Sequence, residues 1–435
     1  MIDETTAPSA VGEDTGSRTG EGTRQATPES TNGMHRQTSQ RRFFLTVFVP
    51  LVAIYLATAT WSPPYDADTL TNVLTANELG TNGDVFLDRH EHLADPVFQG
   101  VVSWVVEAKD TAAAQYPPGA AVLAAPLYAV WPADDIRWGR TVFGTEVVYD
   151  VPPIAPAAIT AAVTVALGVA LLGLAIRPLG GDRDALLAAY TVGLATGIWS
   201  VAADKLWLHT ADVLYLSGGL WLSARFHLAA GLSFGMAALT RPHTAFIGAF
   251  AAIGRTITSR SPKPMVYIGL GIGAGLAALL AFNNAVFGAF SISGGYNIEA
   301  GRFLQSGSGS FLSNVAGALF DVKRGLFPFS PFLLVLLPGI PAAWRAAPHW
   351  VRGSALGGIA YLAVQLASNR FSGGSGFWGY RYPIEMLIAV APLLFLAYTE
   401  WASRHRVAQR LLGGAVALSI GIHAAGALRC AQYLC

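Results

Sequence analysis

The stretch FFLTVFVPLVAIYLATATWSPPYDADT, residues 43–69, decides the fold class. Its first part, residues 43–60, carries no charge. It is close to the ~20 apolar residues that a helix needs to cross a hydrocarbon core. Two carboxylates, Asp66 and Asp68, follow where such a helix would leave the membrane. The rest of the chain repeats the apolar pattern. Of 435 residues, 53% are hydrophobic and 13% charged, whereas a soluble domain carries about 25% charged residues. The sequence therefore predicts an all-α polytopic membrane protein. With a net charge of +1 it carries no basic stripe suited to nucleic acid. Cys430 and Cys435, both at the C-terminal end, exclude a disulfide scaffold and a cysteine metal cluster.

Residues 1–42 are rich in Thr, Ser, Gly and Glu and poor in aliphatic residues up to the first span. Such a segment cannot bury enough apolar surface to offset ordering, and it is expected as a disordered cytoplasmic tail. No early apolar stretch marks a cleaved signal peptide, so the first span is expected to act as anchor. Residues 43–435 are expected to form one transmembrane domain of about eleven crossings. They fall near 43–61, 154–176, 185–202, 210–224, 226–239, 243–254, 265–288, 331–344, 352–368, 383–400 and 410–428. The pair flanking Thr240-Arg241-Pro242-His243 reads either as two short helices or as one kinked helix.

Lys and Arg set the orientation. Arg41 and Arg42 precede the first span, and strict alternation then places Arg177, Arg183, Arg225, Arg255, Arg260, Lys263, Arg345, Arg352, Arg404, Arg406 and Arg410 in the same compartment. The N-terminus is thus expected in the cytoplasm of a plasma-membrane protein. The long connections 62–153, 289–330 and 369–382 and the short stretch 203–209 fall outside. Within the first loop, residues 118–131 are too short to span, and they read as an interfacial or re-entrant helix.

The external side holds the candidate chemistry. Three readings of Asp66 and Asp68 stay open. A carboxylate at a low-dielectric boundary can serve as general base. The D-x-D pair can hold a divalent cation such as Mg²⁺ or Mn²⁺ through its oxygens. It can equally be a solvated pair that caps a helix over 69–79. Tyr116-Pro117-Pro118-Gly119 opens the interfacial helix, with Pro118 suited to a first turn. In Asp204-Lys205-Leu206-Trp207-Leu208-His209, Trp207 reads as an interfacial anchor, while Lys205 and His209 would share a helical face. Arg241 stands between two membrane segments. Lys323 and Arg324 lie in KRGLFPFSP, and Tyr380 and Arg381 in GFWGYRYP. Cations recur here on the side that the positive-inside rule should deplete, which points to an anionic ligand such as phosphate.

This ordered set resembles the GT-C superfamily of membrane glycosyltransferases. It runs from an acidic first external loop through YPPG, LWLH, LTRP and KRGLFPFSP to GFWGYRYP. The likeness is to the protein O-mannosyltransferase and aminoarabinose-transferase branch, over residues 43–400. The resemblance implies a polyprenyl-phosphate sugar as donor, an unknown glycan, lipid or protein acceptor, and inverting transfer to its hydroxyl on the external face. It implies Asp68, followed by Thr69 and Asn72, as base, with Asp66 as reserve or metal ligand. Lys205, His209, Arg241, Arg324 and Arg381 would hold the donor phosphate, with Tyr116, Lys323 and Tyr380 as substrate contacts. The chain departs from larger relatives in lacking a soluble C-terminal domain, which leaves acceptor recognition to the loops. A transporter or lipid flippase, and a non-catalytic scaffold, are the rival classes. No internal repeat supports the former.

Overall fold

The computed structural model describes residues 28–61, 66–109, 111–131, 134–142, 144–296 and 311–430. Cys435 and most of the expected N-terminal tail lie outside the described residues, and helix is described from Pro28. From Arg42 onward the chain forms one compact unit. Each expected crossing has a helical counterpart. They are α1 (Pro28–Thr58), α4 (Ile154–Ile176), α5 (Asp182–Leu194), α6 (Leu208–Leu222), α7 (His227–Thr240), α8 (Ala245–Ser259), α9 (Lys263–Phe287), α11 (Phe332–Ala346), α12 (His349–Ser368), α13 (Pro383–Glu400) and α14 (Arg406–Cys430). Five stretches are long and apolar enough to cross a membrane: Ser39–Thr58, Ile154–Leu179, Lys263–Phe287, Pro383–Arg404 and Arg406–Arg429. The shorter helices lean on these. The chain is a helical integral membrane protein.

Local sequence explains where these helices stop. Arg241 precedes a proline, which disfavours helical ψ at the residue before it. It is extended at φ −144°, ψ 104°, and a single turn, Pro242–Thr244, joins α7 to α8. The ambiguous pair is therefore two helices. The third crossing is broken as well, because α5 ends at Leu194 and a π-helical turn follows over Ile198–Ala202. Gly197 between them lets the backbone of the last long loop approach, for a Cβ there would sit 2.6 Å from the carbonyl oxygen of Tyr380. Packing between α7 and α9 rests on small residues, with Gly231 and Gly235 set against Gly271 and Gly275. Close backbone approach replaces hydrophobic driving force where lipid is as apolar as the side chains.

The first long loop is a small folded unit with its own apolar core, including Leu70, Leu74, Leu87, Val105 and Tyr128. It comprises α2 (Ala67–Thr81), a 3₁₀ segment (Asp88–Ala94), strands β1 (Val105–Glu107) and β2 (Ala112–Ala114), α3 (Ala121–Val130), and strands β3 (Ile136–Val142) and β4 (Thr145–Val151). Both strand pairs are antiparallel, and the sequence reading did not foresee them. α3 packs against α2 and α4. Gly80 makes the α2–α3 crossing tight, since a Cβ there would lie 2.9 Å from Tyr128 Cβ. A short helix, α10 (Phe311–Phe320), precedes the KRGLFPFSP stretch. The connections expected outside all meet at one end of the bundle. Thr60 N bonds to Asp204 O, Asn72 Nδ2 to Leu206 O, Lys109 N to Val286 O, and Lys205 Nζ to Gly376 O.

Candidate active site

At that end, α2 begins with Asp66 as its N-cap, in extended conformation (φ −75°, ψ 164°), and its Oδ1 accepts from Thr69 N at 3.1 Å. Its other oxygen, Oδ2, is buried and stands 3.6 Å from Lys205 Nζ. Burial raises the Asp66 pKa, Lys205 opposes that, and Asp68 reinforces it. Lys205 is fixed by its bond to Gly376 O, 3.3 Å. Gly376 has φ +84°, and a Cβ there would meet Asp66 Cβ at 2.5 Å, so both backbone and space require glycine. The expected shared face for Lys205 and His209 is not formed. Trp207 is extended and α6 starts only at Leu208, so Lys205 turns to Asp66 while His209 turns into the bundle.

Asp68 lies in the first turn of α2. Its Oδ1 accepts from the Tyr116 hydroxyl and its Oδ2 from Arg381 Nη1. Burial first, and Asp68 second, raise the Tyr116 pKa, which keeps the phenol a donor. The Arg381 guanidinium faces three rings: Trp207 at 5.1 Å, Tyr382 at 5.2 Å and Phe377 at 5.3 Å. Such faces favour a cation that water cannot reach. Trp207 is 1% exposed, so it is a wall of this site rather than an interfacial anchor. Arg324 stacks on the other ring system, 4.2 Å from the Phe377 centroid, and donates to Phe377 O and Gly379 O. Burial and the neighbouring Arg381 lower its pKa from the ordinary arginine value.

Two expected substrate contacts fall elsewhere. Lys323 is exposed, and its main-chain N–H donates to Asp321 Oδ1. Tyr380 is buried among Ser330, at 2.7 Å, and His423, away from the Asp68–Arg381 contact.

Arg241 and His209 form a second, deeper group. His209 Nδ1 lies 2.6 Å from Glu385 Oε1, which also accepts from Arg241 Nη1 at 3.0 Å. Arg241 Nη2 donates to Gln365 Oε1 at 2.7 Å, and His243 Nε2 reaches the same oxygen at 2.6 Å. Asp212 stands beside Glu385 with neither of its buried oxygens hydrogen-bonded. The ring of Tyr382 bridges the two groups, 5.7 Å from the Arg241 guanidinium and 5.2 Å from that of Arg381. Sequence reasoning missed Glu385, Asp212 and Gln365. The available signal was a carboxylate early in an apolar span, twice over.

Lys205 faces Asp66 and Arg381 faces Asp68, while Arg324 adjoins Arg381 with no carboxylate of this pair beside it, so three cations stand against two carboxylates. That is a setting for an anion with an oxygen-rich head. It suits a divalent cation poorly, since each carboxylate already faces a basic side chain and no group of three or more His, Cys, Asp or Glu forms among the described residues.

No family model matches the chain, and no curated protein sequence does. Among solved structures, the apo crystal structure of the Archaeoglobus fulgidus oligosaccharyltransferase is 12% identical, with a TM-score of 0.49 over 90% of this chain and 56% of that one. ArnT from Cupriavidus metallidurans bound to undecaprenyl phosphate is 14% identical, with a TM-score of 0.44 over 91% of this chain and 76% of that one. The same protein in the apo state gives 14% and 0.46, over 92% and 76%. This chain thus spans little more than half the length of the oligosaccharyltransferase.

Proposed function

We propose that the chain is an inverting glycosyltransferase. It takes a sugar from a polyprenyl-phosphate donor and passes it to an acceptor hydroxyl on the external face of the membrane. One observation supports this most: Asp68 is presented between Tyr116 and Arg381, beside Lys205 and Arg324, at the end of a membrane bundle. The ordered motifs that resemble the GT-C superfamily support it independently. In the proposed step, Asp68 takes the proton of the acceptor hydroxyl, whose oxygen attacks the anomeric carbon. The bond from that carbon to the phosphate oxygen breaks, and the polyprenyl phosphate leaves with the electron pair. Arg381, Lys205 and Arg324 stabilise the charge that develops on it, a preorganised electrostatic role. Tyr116 holds the Asp68 carboxylate until the acceptor hydroxyl replaces it. Arg241 and His209 act at one remove, because Glu385 already occupies them. The reaction as drawn routes no step through a metal ion.

The test is transfer from a panel of polyprenyl-phosphate sugars by purified protein in lipid, with Asp68→Asn and Asp66→Asn alongside. Loss with Asp68→Asn from folded protein supports the base assignment. Loss with both, together with sensitivity to EDTA, would return a metal to the D-x-D. A second reading, transport of an anionic or lipid-linked substrate, is favoured by one feature, the ionisable group of Arg241, His209, Asp212 and Glu385 set into the helices. Movement of a lipid-linked sugar across vesicles without covalent transfer would decide for it.

A further inference from the structure

The far end of α2 carries a cavity that the transfer reaction does not use. It has a volume of about 420 Å³ and is lined by the last turns of α2, the end of α3 and the segment before β3. That volume is in the range of small-molecule sites. Its walls have a definite chemistry. Trp131 and Tyr128 supply aromatic surface, Asn77 an amide, Asp134 and Asp135 carboxylates, and Arg89 a guanidinium.

The polar groups divide into held and free. Arg89 is engaged, for its Nη2 meets Glu78 Oε1 at 2.6 Å and its Nη1 stands 3.5 Å from Asp135 Oδ2. Tyr128 is fixed by the bond from its hydroxyl to Pro153 O, 2.9 Å. Asn77 differs. It is 6% exposed and lines the cavity, and the bond it accepts from Thr81 Oγ1 falls on its main-chain carbonyl. A largely buried amide costs free energy unless its donors and acceptor are met. The cavity is the place where they can be met.

We infer that this cavity is a binding site for the ring of a neutral saccharide. An aromatic wall accepts the apolar C–H face of a sugar, as amphipathic rings do at wet sites. Carboxylates and an amide accept from and donate to its hydroxyls. Anions are disfavoured, since Glu78, Asp134 and Asp135 outnumber Arg89.

The position adds meaning. Asn77 lies nine residues beyond Asp68 on the same helix, which at 1.5 Å per residue is about 14 Å. Nine residues make about two and a half turns, so Asn77 leaves the face of α2 opposite Asp68, and a glycan held here is bound apart from the base. The binding site does not rest on the transferase reading.

Binding is therefore measured apart from transfer, on the full chain in lipid nanodiscs and also on its Asp68→Asn form. Neutral aldohexoses, aldopentoses and their short oligomers are titrated by saturation-transfer NMR and tryptophan fluorescence. A saturable response to at least one neutral sugar is expected, equal in wild type and Asp68→Asn. Asn77→Leu and Trp131→Ala should each weaken it at least tenfold. Asn77→Leu fills the amide's space and serves where Trp131→Ala does not fold. No saturable binding of any neutral sugar would overturn the proposal, as would affinity unchanged by Asn77→Leu, or binding confined to phosphorylated sugars. Transfer without such binding would leave the active-site reading standing and this one refuted. Binding without transfer would do the reverse.

Discussion

Replacing Glu385 by Gln is the sharpest perturbation of the buried charges. Glu385 is 0% exposed, and its Oε1 is shared by His209 and Arg241 at 2.6 and 3.0 Å. Gln keeps the shape and removes the charge. Arg241, 8% exposed, would keep its 2.7 Å bond to Gln365 and its contact with His209, but would face a neutral amide oxygen where the carboxylate stood. Removing one partner of a buried ion pair costs about 3–5 kcal/mol, because the other charge is left uncompensated. Arg241→Met should cost a similar amount for the mirror-image reason. The double variant removes both halves of the Glu385–Arg241 pair together, so it should cost less than the sum by about 2 kcal/mol. Equilibrium unfolding of detergent-solubilised protein by titrated SDS, followed by circular dichroism, gives all three values. A Glu385→Gln cost below about 1 kcal/mol, or a double variant additive to within ~0.5 kcal/mol, would refute the reasoning. The pair would then be solvated or unformed.

Asp68→Asn should lower transfer by about 10²–10⁴-fold, the usual worth of a general base, measured by single-turnover transfer at saturating donor. Asp66→Ala should instead show itself first in stability, by about 0.5–2 kcal/mol for a lost N-cap, read by thermal unfolding. Burial, with Arg89 beside it, lowers the His90 pKa to about 4. The unfolded chain, titrating near 6.5, then binds more protons, so stability is full above that pH and falls as pH drops from about 6.5 to 4. His90→Gln should flatten that part of the stability-versus-pH curve relative to wild type, and parallel curves would refute the assignment. On α9, Gly269 and Gly273 face open space while Gly271 and Gly275 press on α7. Gly273→Ala should be neutral or stabilising, and Gly275→Ala should destabilise by about 1–3 kcal/mol, as SDS titration would show.

What the sequence disclosed follows from which signals are local. Apolar runs are properties of short windows, so the helices were legible, while the Arg241-Pro242 stretch marked a break or a kink without deciding between them. Asp66 and Asp68 were legible as a pair, but not their separation of roles. The first caps α2 through a bond three residues away, while the second meets Tyr116 and Arg381 from distant loops. Glu385 and Asp212 passed unnoticed because a single carboxylate in an apolar run says nothing of its partner until α6, α7, α12 and α13 are packed. The shared face assigned to Lys205 and His209 failed for a local reason, since α6 begins after Lys205. β1 and β2 were hidden because each has three residues, whereas β4, with Val147, Tyr149 and Val151 buried in alternation, carried a period-two signal that the apolar-run reading passed over.

The pairing of Asp68 with Arg381 bears on how the proposed base could work. Both Asp68 oxygens already accept a hydrogen bond, one from a phenol and one from a guanidinium, so a partner has to leave before an acceptor hydroxyl can reach the carboxylate. Arg381 sits where it can serve either Asp68 or an arriving phosphate, held over Trp207, Phe377 and Tyr382 whichever it bonds. A phosphate carries more acceptor oxygens than the one Asp68 gives to Arg381 and can draw on Lys205 and Arg324 as well. In the proposed reaction, donor binding would thus compete Arg381 away from Asp68 and free its Oδ2 for the acceptor hydroxyl when a sugar is in place. Without a donor, the same contact keeps Asp68 from deprotonating water or a stray hydroxyl. The ion pair is then part of the reaction coordinate, and the aromatic cage around Arg381 is what lets the guanidinium change partners without leaving the site.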